Sequence, residues 1–467
     1  MSTPIETDYL VVGAGAAGMS IVDELLTNGD PDLDVVLVDR RHRPGGHWQD
    51  AYPFVRLHQP SVYYGVNSRK LGHDRIDTSG PNAGFYERAS ADEICDYYQR
   101  VLDERFLDSG RVTFLGMHDY RGRDGEDHLV VSQLSGRPTP IRVRRRLVDA
   151  TYVESVIPSR HTPSFAIDPA ARLLTPNQLV HYADGSDDFT IIGAGKTAMD
   201  TCVWLLEQGI EPDRIRWIRP RDGWFVDRTY TQPLDLAANM IGYQAAMMES
   251  AASAESGLDL ALRMEERGMM FRLDPTVEPE VSRGATVSRY ELDLLRSIER
   301  VVRQGNVQAI GADRIEMTAG ELATGPDVVH VDCTAPGLAN AKPQPIFAGD
   351  TIRVQMTTLG VSPWSAALLG FIETLDLPDD ERNRLCPPIP RAGLVAGQLG
   401  ALAIGLGIEP DRRANADLAG WNAAARLNPG RSVADHLDEP EVQQAMETIM
   451  TNFGPAVANA TARTAAA

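Results

Sequence analysis

Two glycine-rich stretches carry residues whose types and spacing suit a phosphate-bearing ligand. In the first, Leu10-Val11-Val12-Gly13-Ala14-Gly15-Ala16-Ala17-Gly18, an apolar strand-like run breaks into glycines and then into a helix-like pattern. Gly13 permits a tight turn, the main chain at Gly15, Ala16 and Ala17 is bare enough to approach a pyrophosphate, and Gly18 lets the helix pack close on the strand. About 20 residues further on stands Asp39, at the end of Val35-Val36-Leu37-Val38, where an acid accepts hydrogen bonds from ribose hydroxyls. Arg40 follows it and joins the same group of cofactor-binding candidates.

The second stretch, Ile191-Ile192-Gly193-Ala194-Gly195-Lys196-Thr197-Ala198-Met199, repeats the first 180 residues later. The same offset carries Asp39 onto Arg219, which closes Ile215-Arg216-Trp217-Ile218. A cation there suits a 2′-phosphate, and Arg221 could share it. The first copy is therefore expected to hold FAD or an NAD-like adenosine and the second NADPH, with Lys196 and Thr197 beside the second turn. Lys196-Thr197 does not make a P-loop, because Thr190 occupies the place of its first glycine.

These residues need elements to position them. Ile21, Val22, Leu25 and Leu26 recur at helical spacing up to Asn28-Gly29, and Ser90 with Glu93 opens a helix carried by Ile94, Tyr97, Tyr98 and Val101. Val112 to Arg146 reads as three antiparallel strands, with Arg142, Arg144, Arg145 and Arg146 on a solvated face, before Leu147-Val148-Asp149-Ala150-Thr151 returns to a parallel sheet. Val331-Asp332-Cys333-Thr334 echoes that last segment in the second copy. Between them, Leu234 to about Arg272 is rich in alanine and methionine and reads as a helical insertion, its methionines either core filler or an apolar lid. Ser288 and Glu291 open a helix carried by Leu292, Leu295, Ile298 and Val302. Phe347-Ala348-Gly349-Asp350 fits either a Gly-Asp turn facing a cofactor or a hairpin. Ser362 starts another helix, the remainder from Arg391 is helical, and the alanine-rich end beyond Ala456 is expected to fray.

The expected fold is α/β: two Rossmann-like domains with β-meanders, a helical insertion in the second and a helical C-terminal region. Residues 1–170 form the first part of the FAD-binding domain, 171–330 the NADPH-binding domain with its insertion at about 232–285, and 331–467 the return to the first domain plus the C-terminal helices.

A net charge of −20 argues against nucleic acid or an anionic membrane as partner. The longest apolar runs are too short to span a bilayer, and the first strand begins too early for a signal peptide, so a cytoplasmic location is expected. Cys95, Cys202, Cys333 and Cys386 are scattered with no CxxC pair, and the ten histidines show no ligand spacing, so no metal is expected. The oligomeric state stays open, a homodimer included.

Gly13-x-Gly15-x-x-Gly18, Asp39, Gly45-Gly46-His47-Trp48, Tyr52-Pro53 with Arg56, and the second Gly193-x-Gly195 resemble class B flavin-dependent monooxygenases, the group of flavin-containing monooxygenases and Baeyer–Villiger enzymes. The resemblance covers roughly the first 230 residues well and the rest loosely. It implies FAD held by Gly13, Gly15, Gly18, Asp39, Gly46, His47 and Trp48, and NADPH held by Gly193, Gly195 and Arg219. It also implies that NADPH reduces the flavin and that a flavin C4a-(hydro)peroxide formed with O₂ oxygenates a small-molecule substrate. The sequence departs from that family in lacking the His-x-x-x-Trp fingerprint, in reading Ala150-Thr151-Tyr152 for an Ala-Thr-Gly signature, and in carrying His58 where some members have an acid.

His58 and Gln59 are the candidates for hydrogen bonds near the flavin ring, with Tyr63, Tyr64 and Trp224 as pocket walls. A proton-transferring His58 would titrate near neutrality; a packing histidine would not. Two rival readings remain: an NADPH-dependent flavin reductase that inserts no oxygen, and a non-catalytic FAD-binding redox sensor.

Overall fold

The computed structural model describes residues 3–182, 188–338, 341–360, 362–390 and 393–465. The first glycine stretch folds as β1 (Ile5–Val12), a turn and α1 (Ala16–Asn28), followed by β2 (Val35–Val38). A helix α2 (Ala91–Val101) starts in the expected Ser90–Glu93 capping box. Then come β3 (Val112–Leu115), β4 (His118–Asp124), β5 (Asp127–Ser132) and the long β6 (Pro138–Asp149).

β1 lies between β2 and β6, parallel to both, and β3 extends the sheet beyond β2, also parallel. Between Val112 and Asp149 the antiparallel pairing is confined to β4, β5 and the first half of β6, so Val112–Leu115 belongs to the parallel sheet and not to the meander. Leu10, Val11 and Leu37 are fully buried, as strands covered on both faces require. Phe347–Ala348 and Thr351–Arg353 form the hairpin, and its second strand pairs parallel with β6, returning the chain to the first sheet. Asp350 in its turn pairs with Arg123. Of the arginine run, Arg142, Arg144 and Arg145 are half-exposed among aspartates, while Arg146 turns inward to Glu373 and Asp379.

The second sheet repeats this plan with β7 (Arg172–Leu174), β8 (Asp188–Ile192), α3 (Lys196–Glu207), β9 (Ile215–Ile218), β10 (Val301–Val302) and β11 (Val328–Asp332). Its strands lie in the order β7-β11-β8-β9-β10, all parallel. The duplication reaches the closing turns. Asp149 Oδ1 accepts from the N–H and hydroxyl of Thr151 at 3.0 and 2.7 Å, and Asp332 Oδ1 accepts from the same groups of Thr334 at 2.9 and 2.6 Å.

The alanine- and methionine-rich insertion forms α4 (Ala237–Ala251) and α5 (Gly257–Glu266), but its expected C-terminal part is strand, Met270–Arg272 and Val281–Val287, pairing with Gly223–Asp227. The helix after Ser288, α6 (Arg289–Arg296), is shorter than expected. Val301 and Val302 leave it because the edge of β9 offers them a strand partner that suits β-branched side chains. After α7 (Ser362–Thr374), the helices α8 (Gln398–Gly407) and α9 (Pro440–Ala465) pack on α4 and α5 around Met264, Leu399 and Leu402. Beyond Ala456 the chain stays helical to Ala465, and Ala456 and Ala460 are 0% exposed, because alanines let α9 approach its neighbours closely. Met240, Met248, Met264 and Met270 are buried in these helix contacts, so the methionines are core filler.

Candidate functional site

At the first turn Gly13 has φ +104° and its N–H donates to Val38 at 2.8 Å, closing the strand end. A methyl group on Gly18 would sit 1.9 Å from the Gly13 carbonyl oxygen, so only glycine allows α1 this close to β1. No side chain caps α1 at Gly15, which leaves its first N–H groups, including those of the half-buried Ala16 and Ala17, for an anion. The Gly45-Gly46 loop lies across this turn. Gly45 N–H donates to Ala14 at 2.9 Å, and a Cβ on Gly46 would come 3.0 Å from the Gly15 Cα. Bare main chain on both sides of an uncapped helix end fits the pyrophosphate of a dinucleotide such as FAD.

Asp39 is buried and works within the protein. One carboxylate oxygen accepts from Ala14 N–H and the other from Arg41 N–H, both at 2.7 Å, so the acid braces the glycine turn from the end of β2. A carboxylate has lone pairs left for a ribose hydroxyl after these two bonds. Arg40 points away to Glu154 at 3.0 Å, on the surface. Trp48 donates its indole N–H to the Tyr64 hydroxyl at 2.6 Å, and His47 stands against Trp48, its pKa lowered to about 4 by burial.

The second turn is built alike but braced differently. Gly193 has φ +128°, and a Cβ there would lie 2.6 Å from the Cys333 carbonyl oxygen. In place of a carboxylate, the Trp217 indole donates to the Gly193 carbonyl at 2.7 Å. α3 starts at an exposed, side-chain-free Gly195. Arg219 does occupy the place equivalent to Asp39, but it is 3% exposed, lies 2.7 Å from Asp222 and stacks over Trp217 at 4.9 Å. Its charge is spent inside the domain, because Asp222 and Trp217 face it and solvent does not. The exposed cation at this strand end is Arg221.

Between the two turns the domains meet in a buried charged joint. Lys196, first residue of α3, pairs with Asp200 one helical turn on and lies 3.8 Å from Glu291. Asp200 accepts from the Tyr52 hydroxyl of the first domain at 2.8 Å, Thr197 lies against the same hydroxyl, and Phe54 stacks on Trp204 at 5.0 Å. Glu291 receives Arg228 at 2.5 Å and Ser288 N–H at 2.8 Å, with Arg88 of the first domain at 3.8 Å. Despite burial, these three cations hold the Glu291 carboxyl down to about 2.

His58 borders this joint. It is half-buried, its carbonyl accepting from Thr286 at 2.7 Å, with Gln59, also half-buried, next in the chain. Burial and the nearby Lys196 lower its pKa to about 4, which fits the packing alternative for His58 better than the proton-transferring one. Tyr64 sits in the first core under Trp48. Tyr63 packs on α4, its hydroxyl 3.5 Å from the Met240 sulfur. Trp224 is a core side chain and presents no surface to a ligand: it is 1% exposed, among helices α4, α5 and α8, and donates to Pro279 at 3.1 Å. The aromatic stretch is held from the C-terminal region, where the Arg426 guanidinium donates to the carbonyls of Val62 and Val66 at 2.6 Å and Tyr64 at 2.9 Å.

Sequence reasoning missed Tyr52, Arg88, Asp200, Arg228 and Glu291 as a group. Asp200 had a signal, its i+4 spacing from Lys196; Glu291 was visible only as a helix cap. Among the described residues no group of three His, Cys, Asp or Glu is placed to hold a metal, and no helix is long and apolar enough to cross a membrane.

Residues 11–67 match the family described as NAD(P)-binding Rossmann-like domain. The chain is 40% identical over 425 residues to uncharacterized protein Rv2000 of Mycobacterium tuberculosis and to uncharacterized protein Mb2023 of Mycobacterium bovis, covering 91% of this chain and 78% of each relative. Among solved structures it is similar to an open crystal structure of cyclohexanone monooxygenase, with TM-score 0.52 and 14% identity over 87% of this chain and 98% of that one. An oxidized steroid monooxygenase bound to NADP gives TM-score 0.51 and 15% identity over 79% and 85%. The chain thus belongs to the family of these mycobacterial proteins, and its fold is that of the class B flavoprotein monooxygenases.

Proposed function

We propose that the protein is an NADPH-dependent FAD monooxygenase that uses O₂ to oxygenate a small-molecule substrate. The observation that carries this reading is the pair of uncapped helix N-termini, α1 and α3, each following a glycine turn at the end of a central parallel strand. FAD, when bound, supplies hydride acceptance from NADPH and the reaction with oxygen. The chain's own residues bind and orient. Ala16 and Ala17 direct N–H groups at the pyrophosphate of FAD, with Gly46 opposite and Asp39 at the ribose. At the uncapped start of α3 the main-chain N–H groups of Lys196 and Thr197 would meet the phosphates of NADPH, the Lys196 side chain being held by Asp200, and Arg221 would take the 2′-phosphate. Tyr52 and Phe54, docked on α3, hold the two glycine turns in a fixed relation to each other. His58, neutral at pH 7, serves as a hydrogen-bonding group there rather than a charged acid.

The test is an anaerobic titration of the purified protein with NADPH and then NADH, followed by turnover under isotopically labelled O₂. A yellow protein bleached preferentially by NADPH, with one labelled atom in the product, is the expected result. Bleaching without label in any product would make it a reductase, and a colourless protein that refuses FAD would overturn the reading.

A further inference from the structure

Away from both glycine turns, a cleft of about 820 Å³ opens between α2 of the first domain and α3 of the second. That is the size of a small-molecule pocket. One wall is apolar: Phe54 and Trp204 stack at 5.0 Å and 15°, with Val203 beside them. Arg88 lies in the floor. It is 6% exposed, its Nε donates to Asn82 at 3.0 Å and one terminal nitrogen to the Leu57 carbonyl at 3.2 Å. The other terminal nitrogen has no hydrogen-bond partner among the described residues, the nearest carboxylate oxygen being that of Glu291 at 3.8 Å.

The carboxylates in the wall are already engaged. Glu291 is held by Arg228, Asp200 by Tyr52 and Lys196, Asp77 by Asn82 at 2.7 Å, Glu87 by His73 N–H, and Glu93 by Ser90 N–H at 2.8 Å. Asp96 and Glu207 stand at the exposed rim. The cations are less well served. Arg56 donates to the Arg88 carbonyl at 3.1 Å but has its nearest carboxylate, Glu93, at 3.8 Å, and Arg100 has no ion-pair partner among the described residues. Burial and the neighbouring Arg228 pull the Arg88 pKa down to about 10, against the opposing pull of Glu291 and Asp200.

We infer that this cleft binds an organic carboxylate, its anionic group on Arg88 and its apolar body against Phe54 and Trp204. Arg56 and Arg100 at the mouth offset Asp96 and Glu207 there, so that the rim does not repel the anion. None of the cleft's side chains lies in either glycine turn, and although Phe54 and α3 are shared with the joint between the domains, carboxylate binding is read without either nucleotide.

Titration calorimetry on the full chain tests it, with phenylacetate as probe and phenylacetamide, acetate and inorganic phosphate as controls. Phenylacetate should bind saturably, phenylacetamide at least tenfold more weakly, and acetate more weakly than phenylacetate. R88Q should lower phenylacetate affinity at least tenfold and W204A several-fold. Should R88Q fail to fold, the double variant R56Q/R100Q at the exposed mouth should still lower it several-fold. Equal binding of the amide, undiminished binding by R88Q or, where R88Q does not fold, by the mouth variant, or phosphate displacing phenylacetate at equal concentration would overturn the inference. The last outcome would assign the cleft to free inorganic anions.

Discussion

The Glu291 carboxylate lies 2.5 Å from the Arg228 guanidinium, where the two side chains are 5% and 0% exposed. Such a pair tolerates burial only when further groups satisfy both partners. Ser288 N–H, Lys196 and Arg88 do so for Glu291, while on Arg228 the Pro81 carbonyl at 3.1 Å engages the second terminal nitrogen and Nε is left without a partner among the described residues. Arg88 and Pro81 come from the first domain and the rest from the second, so the pair fastens one nucleotide domain to the other.

Removing the carboxylate charge with Glu291→Gln would leave Arg228, Arg88 and Lys196 with Asp200 alone. The expected loss is about 3–5 kcal/mol of unfolding free energy in urea, the range for breaking a buried pair on one side. The wild-type contribution is present above pH 4.5 and lost as pH falls toward 2, because folding lowers the Glu291 pKa to about 2 from 4.5. A variant as stable as the parent at pH 7 would mean that water screens the joint.

His58 should make the protein weaken on acidification earlier than carboxylates alone would. Its folded pKa of about 4 lies below the ordinary 6.5, so its contribution is complete above 6.5 and disappears as pH falls through 4. His58→Gln should flatten the urea midpoint between those values. An unchanged pH profile would show that the ring is solvated.

Gly18→Ala and Gly195→Ala should behave oppositely. At Gly18 the new methyl meets the Gly13 carbonyl oxygen at 1.9 Å, whereas at Gly195 it meets nothing within 4 Å. The first should lower Tm by several degrees or prevent folding, since backbone must move. The second should melt like the parent and yet bind NADPH at least several-fold more weakly, because the methyl occupies the approach to the helix end.

Arg221→Gln should weaken NADPH more than tenfold while leaving NADH little changed, in direct binding titrations. Arg219→Gln should instead cost stability, about 1–3 kcal/mol, by leaving the buried Asp222 with Arg303 alone. If Arg219→Gln proves selective against NADPH and Arg221→Gln does not, Arg219 is the phosphate ligand after all.

Local rules made much of this protein legible from its residues. The glycine turns, the acid and the cation after the second strands, the Asp-x-Thr closures and the Ser90 and Ser288 capping boxes all depend on neighbours a few positions apart, and duplication showed the turns and the closures twice. The tertiary structure alone decided what long-range charge pairing does with them. Arg228 and Glu291 are 63 residues apart and Tyr52 and Asp200 148, so no period or turn signal links them. Arg219 stands where the repeat puts it, yet Asp222 and Trp217 fold over it and take its charge inward. Val301 and Val302 continue a helical pattern but find the open edge of β9, and the alanines of α9 find close-packed helices where solvent was expected. A spacing specifies which groups can act; burial and the partners brought in from distant segments decide which of them still face a ligand.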